Sequence, residues 1–346
     1  MSETFLRRVD AMVRAAAAED QAFSTLMPQV MNEAQGLPPS VLNSAMGRLA
    51  EGIATAPPNL ACWLAVMAGA WVEHGAGASG VDEPVLARTL EVASASAEFA
   101  AAWRRAGRGD PPDPGGQPSQ EIVDTLGPHL PDPVGTMMAW FAMEHFAMAA
   151  HTMLSLSPGL RAGVADREAK ASLVGGLAEH CEQMGWVASL LRVLDGERLL
   201  VLDRQSRRGW TVTIGGIGDN FQLHTLLAGA LQGRHWGMPG TPPPPEIVAC
   251  FLDADTPPEP PIVTSPWNLV DAHGEWIYNE GVPADIPAVN GTRVIVLDPP
   301  SYERHFPAGR KHPMMTAALH VDGMHLPEDL AGWWPHIAPA KDPVRS

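Results

Sequence analysis

A chain of 346 residues with 45% hydrophobic and 18% charged side chains carries enough apolar material for an ample core, which excludes a disordered polymer. Its formal net charge of -16 opposes general attraction to a nucleic-acid backbone or an anionic membrane surface. The 33 glycines and 34 prolines fall between periodic segments and have no period of their own, which excludes collagen and implies long rigid connections.

Helical spacing begins at the first residues. Phe5, Val9, Met12, Val13 and Ala16 recur at helical intervals, and a second helix is predicted from about residue 20 to 33. Ser40 can cap the next one, and a further helix over 58–74 starts on proline and stops near Gly75. Its apolar stretch LACWLAVMAGAW at 60–71 is too short to cross a bilayer and runs into Glu73 and His74, so it reads as a buried core helix and no transmembrane segment is expected. Residues 82–106 give the cleanest helical pattern, with Asp82 and Glu83 near the N-terminus and Arg104 and Arg105 near the C-terminus, matching the helix dipole at both ends.

GRGDPPDPGGQPSQ at 107–120 interrupts this pattern, because its prolines remove backbone donors and its glycines add turn freedom. Helical periodicity resumes at 132–156 and 167–194. The interruption is therefore read as an excursion within a predominantly helical domain, 1–194. Near Gly196 the period changes. RLLVLD at 198–203, the turn-rich QSRRG and WTVTI at 210–214 together predict a β-hairpin. A helix is expected at 220–231, and extended segments at 246–252, 275–278, 293–297 and 315–321, the first of them short enough to be helical instead. Proline-rich runs at 239–245 and 255–261 read as fixed surface crossings. The fold class is α+β or mixed α/β, a helical N-terminal half followed by a C-terminal mixed α/β domain at 195–346.

Cys62, Cys181 and Cys250 lie far apart in no metal or redox motif, and the N-terminus lacks a basic start followed by an apolar secretory segment. Both features imply a reducing compartment, read as the cytoplasm.

The strongest site signal is WTVTIGGIGDNFQLHTLLAGALQGR at 210–234, where an expected strand passes through a glycine turn into an expected helix. Gly215, Gly216 and Gly218 allow a backbone to approach a ligand. Asp219 or Asn220 can cap the helix, whose first amides are electropositive, and Asn220 and His224 share a helical face. These features predict a small polar or anionic ligand. The segment lacks GxGxxG and a phosphate-loop lysine, so neither a dinucleotide nor a nucleoside triphosphate follows and no cofactor is assigned. The plainer reading is a tight strand-to-helix connection with Asp219 as cap and His224 packed inside.

Other constellations carry less. Glu144 and His151, seven residues apart in AWFAMEHFAMAAHTM, can face one interhelical groove, with Glu179 and His180 on a following helix as further ligands for zinc, iron or manganese. They match neither HExxH nor repeated ExxH, and a structural polar cluster accounts for them more simply. Asp271 can orient His273 as a general base, and His320 and Asp322 share one face if 317–321 is extended. A turn and a surface strand explain these four more simply. RHFPAGRKH at 304–312 concentrates three fixed positive charges in a loop. Neither Ser206 nor Ser265 sits in GxSxG.

The leading functional reading is an accessory or regulatory protein whose helical half recognises a protein partner while the α/β half binds a small polar or anionic ligand. A metal-assisted or histidine-dependent hydrolase acting on a small metabolite or peptide is one alternative. A purely structural interaction scaffold is the other.

Overall fold

A computed structural model describes residues 2–233, 235–254 and 262–341. The chain divides into two compact units, Met1–Leu191 and Arg192–Ser346, the first helical and the second mixed α/β. Among the described residues no helix is long and apolar enough to cross a membrane.

In the N-terminal unit the helices are α1 (Ser2–Ala17), α2 (Ala22–Ala34), α3 (Pro39–Thr55), α4 (Pro58–Glu73), α5 (Asp82–Arg105), α6 (Gln120–Leu126), α7 (Pro133–Leu156), α8 (Pro158–Gly163), α9 (Arg167–Gly175) and α10 (Glu182–Leu191). α7 packs against both α4 and α5. Asp132 starts α7 by accepting the Gly135 amide at 2.9 Å, and Pro133 supplies a first-turn residue whose missing donor costs nothing there. At Gly69 of α4 an added Cβ would meet the Ala149 Cα of α7 at 3.6 Å, an ordinary contact distance. Residues 167–194 do not form a single helix. Gly175 and Gly176 end α9, and a turn precedes α10, as helix-breaking glycine pairs do.

The proline-rich excursion is held by indoles. Trp140, fully buried, stacks on Phe99 with centroids 4.5 Å apart and donates from Nε1 to the Pro112 carbonyl at 2.8 Å. Trp103 donates to the Asp110 carbonyl at 3.1 Å. Trp140→Phe keeps the ring stack but strands the Pro112 carbonyl, so a loss of about 1–2 kcal/mol in urea unfolding is expected, together with faster proteolytic cutting within 107–120. Unchanged cutting would show that the indole does not anchor the excursion.

The C-terminal unit contains β1 (Asp195–Asp203), β2 (Gly209–Gly215), α11 (Asn220–Leu231), α12 (Pro245–Leu252), β3 (Ile262–Thr264), β4 (Asn268–Asp271), β5 (Ala288–Val289), β6 (Thr292–Asp298), β7 (His305–Pro307) and β8 (Ala318–His325). The main sheet has the order β4-β6-β1-β2-β8, with β5 added to β6. β1 and β6 are parallel; the remaining neighbours are antiparallel. β3 and β7 form a separate antiparallel pair.

Both faces of the central strands are covered, which is why RLLVLD and VIVL read as unbroken apolar runs. Leu199, Val201, Ile295 and Leu297 pack with Leu223 and Leu227 of α11. Leu200, Leu202, Val294 and Val296 pack on the other side with Leu330 and Ile337. Residues 246–252 are helical, within α12. Residues 275–278 form no strand; Trp276 makes only an isolated antiparallel bridge to Val270, because the preceding turn folds this segment back on β4. The run at 255–261 lies outside the described residues.

Candidate functional site

The glycine turn joins β2 to α11 as the sequence implies. Gly216 has φ +65°, and its amide donates to the Leu194 carbonyl at 3.2 Å and to Asp195 Oδ1 at 3.1 Å. Asp219 caps α11 by accepting the Gln222 amide at 2.8 Å. Burial pushes the Asp219 carboxyl above the usual carboxylate range, against the lowering influence of the Gln222 amide and the Lys311 charge.

The first amides of α11 are all committed. Asn220 N–H donates to the Asn279 and Gly281 carbonyls at 3.0 and 2.9 Å, and Phe221 N–H to the Asn279 carbonyl at 3.1 Å. Gly218 N–H donates to Gln222 Oε1 at 2.8 Å, and Gln222 Nε2 reaches the Phe251 carbonyl at 2.6 Å. The electropositive end of the helix is thus satisfied by the chain itself, with carbonyls taking the place that an anion would occupy.

Asn220 and His224, though one helical turn apart, serve different surroundings. His224 is 1% exposed and stacks beside Trp267. Its Nδ1 lies 3.1 Å from Ser265 Oγ, itself buried. Burial, reinforced by the Arg304 charge and partly offset by Asn279, lowers its pKa to about 3, so the imidazole is neutral throughout the physiological range.

Asn220 is equally buried but lines a pocket of about 150 Å³. Its Nδ2 donates to the Tyr278 carbonyl at 2.9 Å, which fixes the amide so that Oδ1 is the other atom. That oxygen has no hydrogen-bond partner among the described residues. Gly281 lies against the amide, where an added Cβ would be 3.2 Å from Asn220 Nδ2 and 3.3 Å from Asp285 Oδ2. Asp285 accepts the Val282 amide at 3.0 Å and pairs with Arg192 at 2.6 Å. Burial would raise its carboxyl, but the Val282 amide, Arg192 and Arg293 outweigh that and hold it below its ordinary value.

Asp271 also lines this pocket, and it does not orient His273. Its Oδ1 accepts the His273 and Glu275 backbone amides at 2.8 and 2.9 Å, closing a turn, while the His273 side chain faces solvent.

A wider cleft of about 520 Å³ lies over another part of the sheet, with Leu200, Leu330 and Trp333 among its walls. Within it Thr211 Oγ1 and His325 Nε2 are 2.7 Å apart. The register between β2 and β8 shifts at Thr211/Val212, leaving Asp322 unpaired in the ladder. Its carboxylate accepts the Thr213 hydroxyl at 2.7 Å; among the described residues no hydrogen bond joins it to the exposed His320.

In the helical unit, Glu144 accepts from Gln183 Nε2 at 3.3 Å, and His151 has its pKa lowered by burial against an opposing Glu73. Glu179 contacts His180 at 3.2 Å, and the His180 ring tilts against Trp140. These four therefore do not converge, and among the described residues no three His, Cys, Asp or Glu side chains are grouped to hold a metal ion. The basic loop is largely spoken for: Arg304 donates to Asn268 Oδ1 at 2.9 Å and Arg310 to the Pro313 carbonyl at 2.7 Å.

Comparison of the chain with protein-family models, curated proteins and solved structures returned no match.

Proposed function

We propose that the chain is an accessory or regulatory protein whose C-terminal unit binds a small polar ligand in the pocket beside Asn220. One observation carries this reading: Asn220 borders the cavity, and its Oδ1, buried and oriented, has no hydrogen-bond partner among the described residues. An unmet buried acceptor costs about 1–3 kcal/mol, a cost that a donor supplied by a ligand removes. The pocket's volume of about 150 Å³ suits a compact molecule or the end group of a longer one.

Recognition of a protein partner belongs, in this reading, to the helical unit. Trp63 of α4 is 40% exposed and Met148 of α7 is 48% exposed. Val66 and Ala70 share a shallow groove with Met148.

Gly281→Ala tests the ligand reading because it narrows the pocket without removing Asn220. A thermal-shift screen of small hydrogen-bond donors is expected to find compounds that raise the unfolding midpoint of the wild-type chain. At 100 times the dissociation constant the gain amounts to about 2.7 kcal/mol. The same compounds should leave Gly281→Ala unmoved, and equal shifts in both proteins would reject the pocket.

A further inference from the structure

We infer that the group received by the Asn220 pocket is a positively charged donor, an ammonium or an equivalent small cation; this rests on the binding reading above. The sequence alone points the other way, since a glycine turn leading into a helix is the usual setting for an anion. Three observations reverse the sign. The α11 amides that would hold an anion already bind the Asn279 and Gly281 carbonyls and the Asp219 and Gln222 side chains.

The polar wall of the pocket presents acceptors. Asn220 offers Oδ1, its Nδ2 being held by the Tyr278 carbonyl. Asp271 is 7% exposed and uses Oδ1 for two backbone amides; among the described residues its second oxygen has neither a hydrogen bond nor an ion pair. Asp285 adds a second carboxylate, countered by Arg192, and among the described residues no lysine, arginine or histidine side chain lines the cavity.

Finally, Tyr278 also lines it, and aromatic rings attract cations through their π faces; the neighbouring Trp276 ring already carries the Arg304 guanidinium, 5.5 Å from its centroid. An ammonium donates up to three hydrogen bonds and accepts none, which matches a wall built of acceptors. A carboxylate would meet Asn220 Oδ1 and Asp271 acceptor to acceptor.

The test is an NMR titration of the full chain with ethylammonium, acetamide and acetate, compounds of similar size that differ in charge. Ethylammonium is expected to bind about tenfold more tightly than acetamide, and acetate not at all. Asp271→Asn retains an oxygen for the two backbone amides and should weaken ethylammonium about tenfold and acetamide by much less. Acetamide or acetate binding as well as ethylammonium, in a manner abolished by Gly281→Ala, would overturn the cation assignment and leave the binding reading standing. Absence of any shift sensitive to Gly281→Ala, for all three probes, would overturn both. The three-probe comparison on the wild-type chain decides the charge question even if Asp271→Asn fails to fold.

Discussion

Acidification from pH 6.5 to pH 3 is expected to cost the C-terminal unit roughly 5 kcal/mol through His224 alone. In the folded state its pKa is lowered from 6.5 to about 3 by burial and the Arg304 charge. Between these values the unfolded chain binds a proton and the folded chain does not, so the His224 contribution is complete above pH 6.5 and is lost as pH falls through the window. Asp219, raised by burial, gives part of this back, because its folded form takes up a proton before the unfolded form does. Asp285, held low, adds a further loss at the acidic end.

The variant His224→Gln isolates the main effect. Its stability should fall less steeply between pH 6.5 and 3, by up to about 1.4 kcal/mol per pH unit, in urea unfolding at a series of pH values. A native-state imidazole titrating near 6.5 with the fold intact would contradict the burial argument.

Gly216→Ala should be still more local and comparably damaging, on the order of 4 kcal/mol or more. At φ +65° a side chain is strained, and the new Cβ would sit 2.2 Å from the Thr316 carbonyl oxygen. That neighbour is backbone leading into β8, so no rotamer change relieves the contact. Gly215→Ala is the control: its Cβ meets nothing closer than Asp195 Oδ1 at 3.6 Å, and the change should stay within about 1 kcal/mol. Urea denaturation read by near-ultraviolet circular dichroism separates the two. Equal stabilities would remove the close approach from the explanation of the turn.

Local signals were legible in the amino-acid sequence where a single element satisfies its own requirements. The charges of α5, the hairpin of β1 and β2, the Asp219 cap and the span of α11 are all written within a few residues of where they act. The destination of the α11 amides was not legible. Asn279 and Gly281 reach them across about sixty residues, and carbonyl groups carry no side-chain signature. Loss of those donors changes the inferred ligand from an acceptor to a donor.

Asp271 illustrates the converse. DAHGE has the spacing of a turn closed by an aspartate, with Gly274 at φ +83°, and this turn ties Asp271 to the His273 and Glu275 amides while the His273 side chain is left in solvent. His320 and Asp322 share a face only in a regular strand; the register shift in β8 brings Thr213 to Asp322 instead.

The central claim is that a ligand meets Asn220 Oδ1. It is tested most directly by following the Asn220 side-chain amide resonances of the full chain during titration with ethylammonium. Saturable shifts at Asn220 and Gly281 in the wild-type chain, absent from Gly281→Ala, are the predicted result. An Asn220 signal that stays still while other regions respond, or that moves equally in both proteins, would contradict it.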